Sequence, residues 1–198
     1  MDNKRFYDFI VKMQAISKIG LKFSQDPYAL ENYQQINDLS REMLESFMDV
    51  DFARPNYFKR DVYPTPNVSV RTAIFNEHGH ILLVKEAKTG TYSLPGGWAD
   101  VYDSPSQAAK AEVSQEAGLE IEIVRLVGVI NHTPFTATPE FVIVFQGRPI
   151  APFHDHCHET IEASYFPLDA LPKLSHKQHE SEFHRIIEAC QNNTVFFD

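Results

Sequence analysis

At Tyr63-Pro64-Thr65-Pro66 the hydrophobic period of the chain changes, and that change limits what either side can fold into. Each proline disfavours helix in the residue before it, so the segment reads as a stiff linker. Before it, Phe6, Phe9, Ile10, Met13 and Ile16 recur at three- and four-residue spacing and predict an amphipathic helix capped by Gly20. Asp26-Pro27 forms an N-cap and first-turn pair, followed by Leu30, Tyr33, Ile36, Met43, Leu44 and Phe47 on a longer helix to about Val50. The Met and aromatic positions on these helices are expected in a core. After the linker the apolar residues fall into short runs: Val68 to Phe75, Ile81 to Lys85, Thr91 to Leu94, Ile121 to Ile130 and Phe141 to Phe145. These predict strands. Helices are expected from Ser104 to Glu116, between Pro105 and Gly118, and from Glu180 to Gln191. The order predicts an α/β domain with a mixed sheet over 63–198 and a helical domain over 1–62.

With 43% hydrophobic residues the 198-residue chain can bury a real core, which excludes general disorder. No run approaches the roughly 20 apolar residues of a spanning helix, and MDNKRFYDFIVKM does not read as a signal peptide. The expectation is a soluble, cytoplasmic protein without membrane attachment. A net charge of -9 argues against a nucleic-acid partner, whose phosphates require a basic surface. The acid excess is concentrated beyond the linker: residues 1–62 hold 9 Lys+Arg against 10 Asp+Glu, residues 63–198 hold 9 against 17. Surplus carboxylates solvate a surface, and hard cations such as Mg²⁺ also require them. Cys157 and Cys190 are too few for a disulfide framework and are read as free thiols.

Residues 96–119, GGWADVYDSPSQAAKAEVSQEAGL, comprise a glycine turn, a short loop, a helix and a terminating glycine. Glu112 and Glu116 are four apart and share a helix face, with Gln115 beside them. Two carboxylates so placed repel by roughly 0.2–0.5 kcal/mol on an exposed helix. A bound divalent cation reverses that sign. Gly96 and Gly97 permit the tight turn that would bring a backbone carbonyl to the same ion. From spacing alone an ordinary acidic surface helix stays equally open.

The whole segment resembles the Nudix box, G-x5-E-x7-R-E-U-x-E-E-x-G-U with U aliphatic, and matches it without a gap at Gly97, Glu112, Val113, Glu116, Gly118 and Leu119. GTYSLPGGWAD resembles the strand and turn before that family's helix, and HETIEASYFPLDALPKLS its later strand and loop. Residues 1–62 resemble the helical N-terminal domain of a bacterial branch that includes CDP-choline and ADP-ribose pyrophosphatases. The resemblance implies an α/β/α sandwich that hydrolyses a nucleoside diphosphate linked to a moiety X, with Mg²⁺ or Mn²⁺ held by box glutamates. It further implies metal ligation by Gly97, Glu112, Gln115 and Glu116, and a homodimer in which residues 1–62 border the opposite subunit's pocket.

Three box positions differ: Asp103 replaces the first glutamate, Ala111 the arginine and Gln115 the first of the paired glutamates. Lys110 cannot stand in for the arginine, being about 100° around the helix. Gln115 keeps an oxygen but not a charge. Glu112 and Glu116 are the expected catalytic metal carboxylates, and Glu159 and Glu162 the candidates to accept a proton from the attacking water. Trp98, Phe135 and Arg71 are candidate substrate-binding residues. The alternative is a nucleotide-binding or regulatory module whose box has decayed. His154-Asp155-His156-Cys157-His158-Glu159 offers several donors for a transition metal, but adjacent residues cannot readily surround an ion, and a solvated loop is expected. The loop His132–Pro139 lies where binding residues often sit; there Phe135 could stack on a base or pack inward. Trp98, beside the glycines, is similarly open.

Overall fold

The computed structural model describes residues 3–47, 65–136, 139–154 and 160–198. The chain divides into two compact units, Met1–Pro64 and Thr65–Asp198. No helix among the described residues is long and apolar enough to cross a membrane.

The first unit holds two helices, α1 (Asn3–Phe23) and α2 (Pro27–Phe47). Asp26 caps α2 as expected, its Oδ1 accepting from the Tyr28 and Ala29 N–H groups at 2.8 and 3.0 Å. Gly20 does not end α1, which continues three residues further. The Tyr33 ring occupies the space where a Cβ on Gly20 would stand, so the glycine lets the two helices approach. The small core consists of Tyr7, Ile10, Val11 and Leu44. Phe9, Ile16 and Met43, expected inside, are exposed: two helices can bury only their facing stripes. The expected end of α2 near Val50 and the first half of the Tyr63–Pro66 linker lie outside the described residues.

The second unit contains β1 (Asn67–Ile74), β2 (Ile81–Glu86), β3 (Tyr92–Ser93), α3 (Pro105–Ala117), β4 (Ile121–Asn131), a 3₁₀ turn at Thr133–Phe135, β5 (Glu140–Pro149), β6 (Thr160–Phe166), α4 (Glu180–Gln191) and β7 (Phe196–Phe197). One sheet has the order β1-β5-β4-β7 and is mixed, since β1 and β5 run parallel and β5 and β4 antiparallel. The other, β3-β2-β6, is antiparallel. The two meet where Phe75 bridges to Ile81. Strand alternation then sends side chains to two cores. Ile74, Leu82 and Val84 pack with Val113 and Ala117 of α3, while Ala73, Ile81 and Leu83 pack with Phe183 and Ile186 of α4. A helix on each face makes the α/β/α sandwich.

Ser104 caps α3 in a full capping box with Gln107, Pro105 stands in the first turn, and Gly118 ends the helix at φ 62°. The short apolar Ala108, Ala109, Val113 and Ala117 let this helix lie close against the sheets. Strand β6 and the two-residue β7 were not marked by a clean period, because most of β6 is only partly buried and β7 is held by its edge pairing to β4. Cys190 is a free, half-buried thiol; Cys157 lies outside the described residues.

Candidate active site

Residues 95–99 run antiparallel to β1. The Thr72, Val70 and Ala99 N–H groups donate to the Pro95, Gly97 and Val68 carbonyls at 3.0, 2.8 and 3.0 Å. Gly96 sits at φ 150°, and a Cβ there would overlap the Val70 carbonyl oxygen, so only glycine fits this close approach. The Gly96 N–H then faces α3 and donates to Glu116 Oε2 at 2.8 Å. Glu116 is 8% exposed. Its carboxylate is thus fixed on the glycine turn by a charge-assisted hydrogen bond.

Glu112, one helical turn earlier, reaches the neighbouring glycine. A Cβ on Gly97 would lie 2.5 Å from Glu112 Oε1, so the missing side chain makes room for this carboxylate. Both glutamates therefore converge on Gly96-Gly97, as their four-residue spacing requires. The other members of the expected set lie differently. The Gly97 carbonyl accepts from the Val70 N–H through one of its two lone pairs. Gln115 and Ala111 are exposed, and Asp103 is partly buried before the α3 cap. Tyr102, just before Asp103, has φ 72°, a left-handed conformation that non-glycine residues rarely adopt.

The donor set suits a hard cation. Among the described residues no three His, Cys, Asp or Glu side chains cluster as a metal cage. Two carboxylates with a carbonyl, waters and substrate phosphates are what Mg²⁺ characteristically takes. Glu112 and Glu116, with a carbonyl of the Gly96-Gly97 turn, are the groups that would hold it.

Glu162 is not brought to this place. Its cross-strand partner is Lys85, whereas the adjacent pair Val84–Ala163 faces α3, so Glu162 points to the opposite side of the sheet. There it accepts from Tyr92 Oη at 3.0 Å and Ser164 Oγ at 2.9 Å. The Ser164 hydroxyl first, then that of Tyr92, holds its carboxyl below the usual range. Glu159 lies outside the described residues, with most of the His154–Glu159 run. His154 itself sits 3.3 Å from the Glu120 carboxylate.

Of the candidate substrate residues, Arg71 is buried on β1 and donates from Nη1 to the Val70 carbonyl at 2.8 Å. Trp98 pairs with Ser69 and is 39% exposed. Phe135 is 47% exposed and stacks on the His179 ring, centroids 3.9 Å apart. That face of Phe135 is occupied from within the chain. Sequence reasoning missed the buried pair beside it, His132 Nδ1 at 2.9 Å from both Glu182 oxygens. Its residues are 50 apart, and no local pattern marks them.

A model of the NUDIX domain matches residues 65–187, and one of the UDP-X-like N-terminal oligomerisation domain matches residues 4–54. The YjhB protein of Bacillus subtilis (strain 168), which carries a provisional ADP-ribose pyrophosphatase assignment, is 32% identical over 85% of this chain and 83% of its own. The structure of an ADP-ribose pyrophosphatase from Streptococcus suis 89-1591 superposes with a TM-score of 0.61 at 33% identity, over 68% of this chain and all of that one. A UDP-X diphosphatase structure matches across the full length of both chains, with a TM-score of 0.67 at 24% identity, and supports the fold. The ungapped box, the carboxylates on its glycine turn and the match over 65–187 establish that the chain belongs to the Nudix hydrolase family.

Proposed function

We propose that this Nudix hydrolase cleaves the diphosphate bond of a nucleoside diphosphate-X, of the ADP-ribose, UDP-X or CDP-choline type, to a nucleoside monophosphate and phospho-X. The observation that carries the reading is the placement of Glu116 and Glu112 on Gly96 and Gly97. A diphosphate repels a nucleophile through its own charge, and a divalent cation, Mg²⁺ or Mn²⁺, supplies the neutralisation when bound. Glu116 enters that task preoriented, because the Gly96 N–H holds one oxygen and burial restricts the rest. Glu112 keeps its oxygens against the turn without a Cβ in the way. Glu159 is the proposed acceptor of the water's proton; the position of Glu162 argues against that role for it. The names of the relatives support ADP-ribose and UDP-linked compounds as the first substrates to try. The N-terminal match to an oligomerisation domain, with Phe9, Ile16 and Met43 exposed on its helices, supports a homodimer.

The alternative, a nucleotide-binding module without turnover, draws on the altered box positions Asp103, Ala111 and Gln115. Incubation with ADP-ribose, UDP-linked sugars and CDP-choline, with Mg²⁺ or Mn²⁺, separates the two: monophosphate release supports the hydrolase, and binding without release the module.

A further inference from the structure

The face of the four-stranded sheet that packs on α4 carries polar groups that the hydrolytic site does not use. In register, Val142 of β5 lies opposite Ser69 of β1, and Val142 belongs to the α4-side core. Glu140, two residues earlier, points the same way, as does its antiparallel neighbour His132, which meets Glu182 of α4. Trp98 pairs with Ser69 on the other side. One end of this face thus brings together Trp98, Ser69, Glu140 and His132, with the α4 N-terminus above them.

Two polar side chains at this end, Ser69 and Gln178, are buried without partners. The Ser69 hydroxyl, and both the oxygen and the nitrogen of the Gln178 amide, have no hydrogen-bond partner. Gln178 is 7% exposed and directly precedes His179, the α4 cap that stacks on Phe135. Glu140 is also 7% exposed, and among the described residues no group donates to its carboxylate. The neighbouring His132 directs its Nδ1 to Glu182 instead. Buried polar atoms are almost always satisfied, so the unpaired Ser69 hydroxyl and Gln178 amide, beside an open carboxylate, mark a place where something else binds.

The chemistry of that ligand follows from the groups. A carboxylate presents two acceptors side by side and receives two adjacent donors. A serine hydroxyl and a glutamine amide each donate and accept, as sugar hydroxyls do. An ammonium ion, which only donates, would leave the amide nitrogen unsatisfied. Trp98 directly follows Gly97, so this end of the sheet is one residue from the turn that holds Glu112 and Glu116. We propose that Glu140, with Ser69 and Gln178, binds the vicinal hydroxyls of a ribose in the substrate and is a specificity-determining residue of the enzyme. The proposal deepens the hydrolase reading by assigning the sugar class, and it rests on that reading for the word substrate alone.

Its test is a binding experiment that needs no turnover. Calorimetric titration of the full-length protein in chelator, as wild type and as Glu140→Gln, uses AMP, UMP, their 2′-deoxy counterparts and ribose 5-phosphate. A hydrogen bond to a buried charge changes affinity by about ten- to a hundredfold. The wild type should therefore bind ribonucleotides at least about tenfold more tightly than deoxynucleotides, and Glu140→Gln should erase the difference. If the ribose belongs to X instead, Glu140→Gln should weaken ribose 5-phosphate about tenfold or more and leave the nucleotides unaffected. Because the native carboxylate is unpaired, the thermal midpoint of Glu140→Gln should be unchanged or higher. A lowered midpoint with equal loss of all probes would assign Glu140 a structural role and overturn the proposal, as would nucleotide binding indifferent to the hydroxyls together with ribose 5-phosphate binding that is absent or unchanged in the variant. Hydroxyl-dependent binding without hydrolysis of any diphosphate would defeat the hydrolase reading and leave this one standing.

Discussion

Gly96 and Gly97 are adjacent, yet they should respond differently to the same substitution. At Gly96 a methyl group meets the Val70 backbone and φ is 150°, so Gly96→Ala should push residues 95–99 off β1. We expect a stability loss of about 2 kcal/mol or more by urea titration, in the range of strained backbone substitutions. At Gly97 the methyl meets only the far end of Glu112, which can swing aside. Gly97→Ala should therefore fold with nearly native stability while turnover falls, which steady-state kinetics would show. Both glycines were legible in the sequence as a turn; how that turn is held was not. That depends on the pairing of residues 95–99 with β1, a contact across nearly thirty residues of chain. The sheet face that Glu162 takes was hidden for a related reason, since only the register of β6 on β2 gives it.

At the scale of the element, α3 is the part the sequence describes best. Its proline and its terminal glycine are local signals that the structure places as expected, and Ser104, read as the first residue of the helix, is its cap. Removing the Ser104 hydroxyl in Ser104→Ala should cost about 1 kcal/mol, read as a lowered urea midpoint. Helix α4 makes a different prediction through Cys190, whose thiol burial pushes from 9.0 up to about 11, against a smaller opposing effect of Arg125. A buried neutral thiol keeps its proton after the unfolded chain has lost its own. Stability should therefore be unaffected below about pH 9 and decline as pH rises from 9 toward 11. In a Cys157→Ser background, a thiol reagent at pH 8 should react slowly with the native protein and rapidly in urea; equal rates would contradict the burial. The helical domain was legible as two helices but not in its core: period alone names an apolar stripe, and Phe9, Ile16 and Met43 turn out to face away from the partner helix.

For the whole molecule, those exposed residues and the match of residues 4–54 to an oligomerisation domain give an expected assembly. Light scattering should return about twice the 22.7 kDa chain mass, and Phe9→Glu with Ile16→Glu should return a single chain mass. The central claim is that Glu112 and Glu116, set on the glycine turn, make this chain a diphosphate hydrolase despite its altered box. Monophosphate release from ADP-ribose, UDP-linked sugars and CDP-choline, measured with Mg²⁺ or Mn²⁺ for wild type and Glu116→Gln, tests it most directly. The prediction is metal-dependent release from at least one compound, reduced about 10²-fold or more in the variant, as for loss of a principal transition-state stabiliser. Full activity in Glu116→Gln, or no release from any compound by the folded wild type, would contradict it.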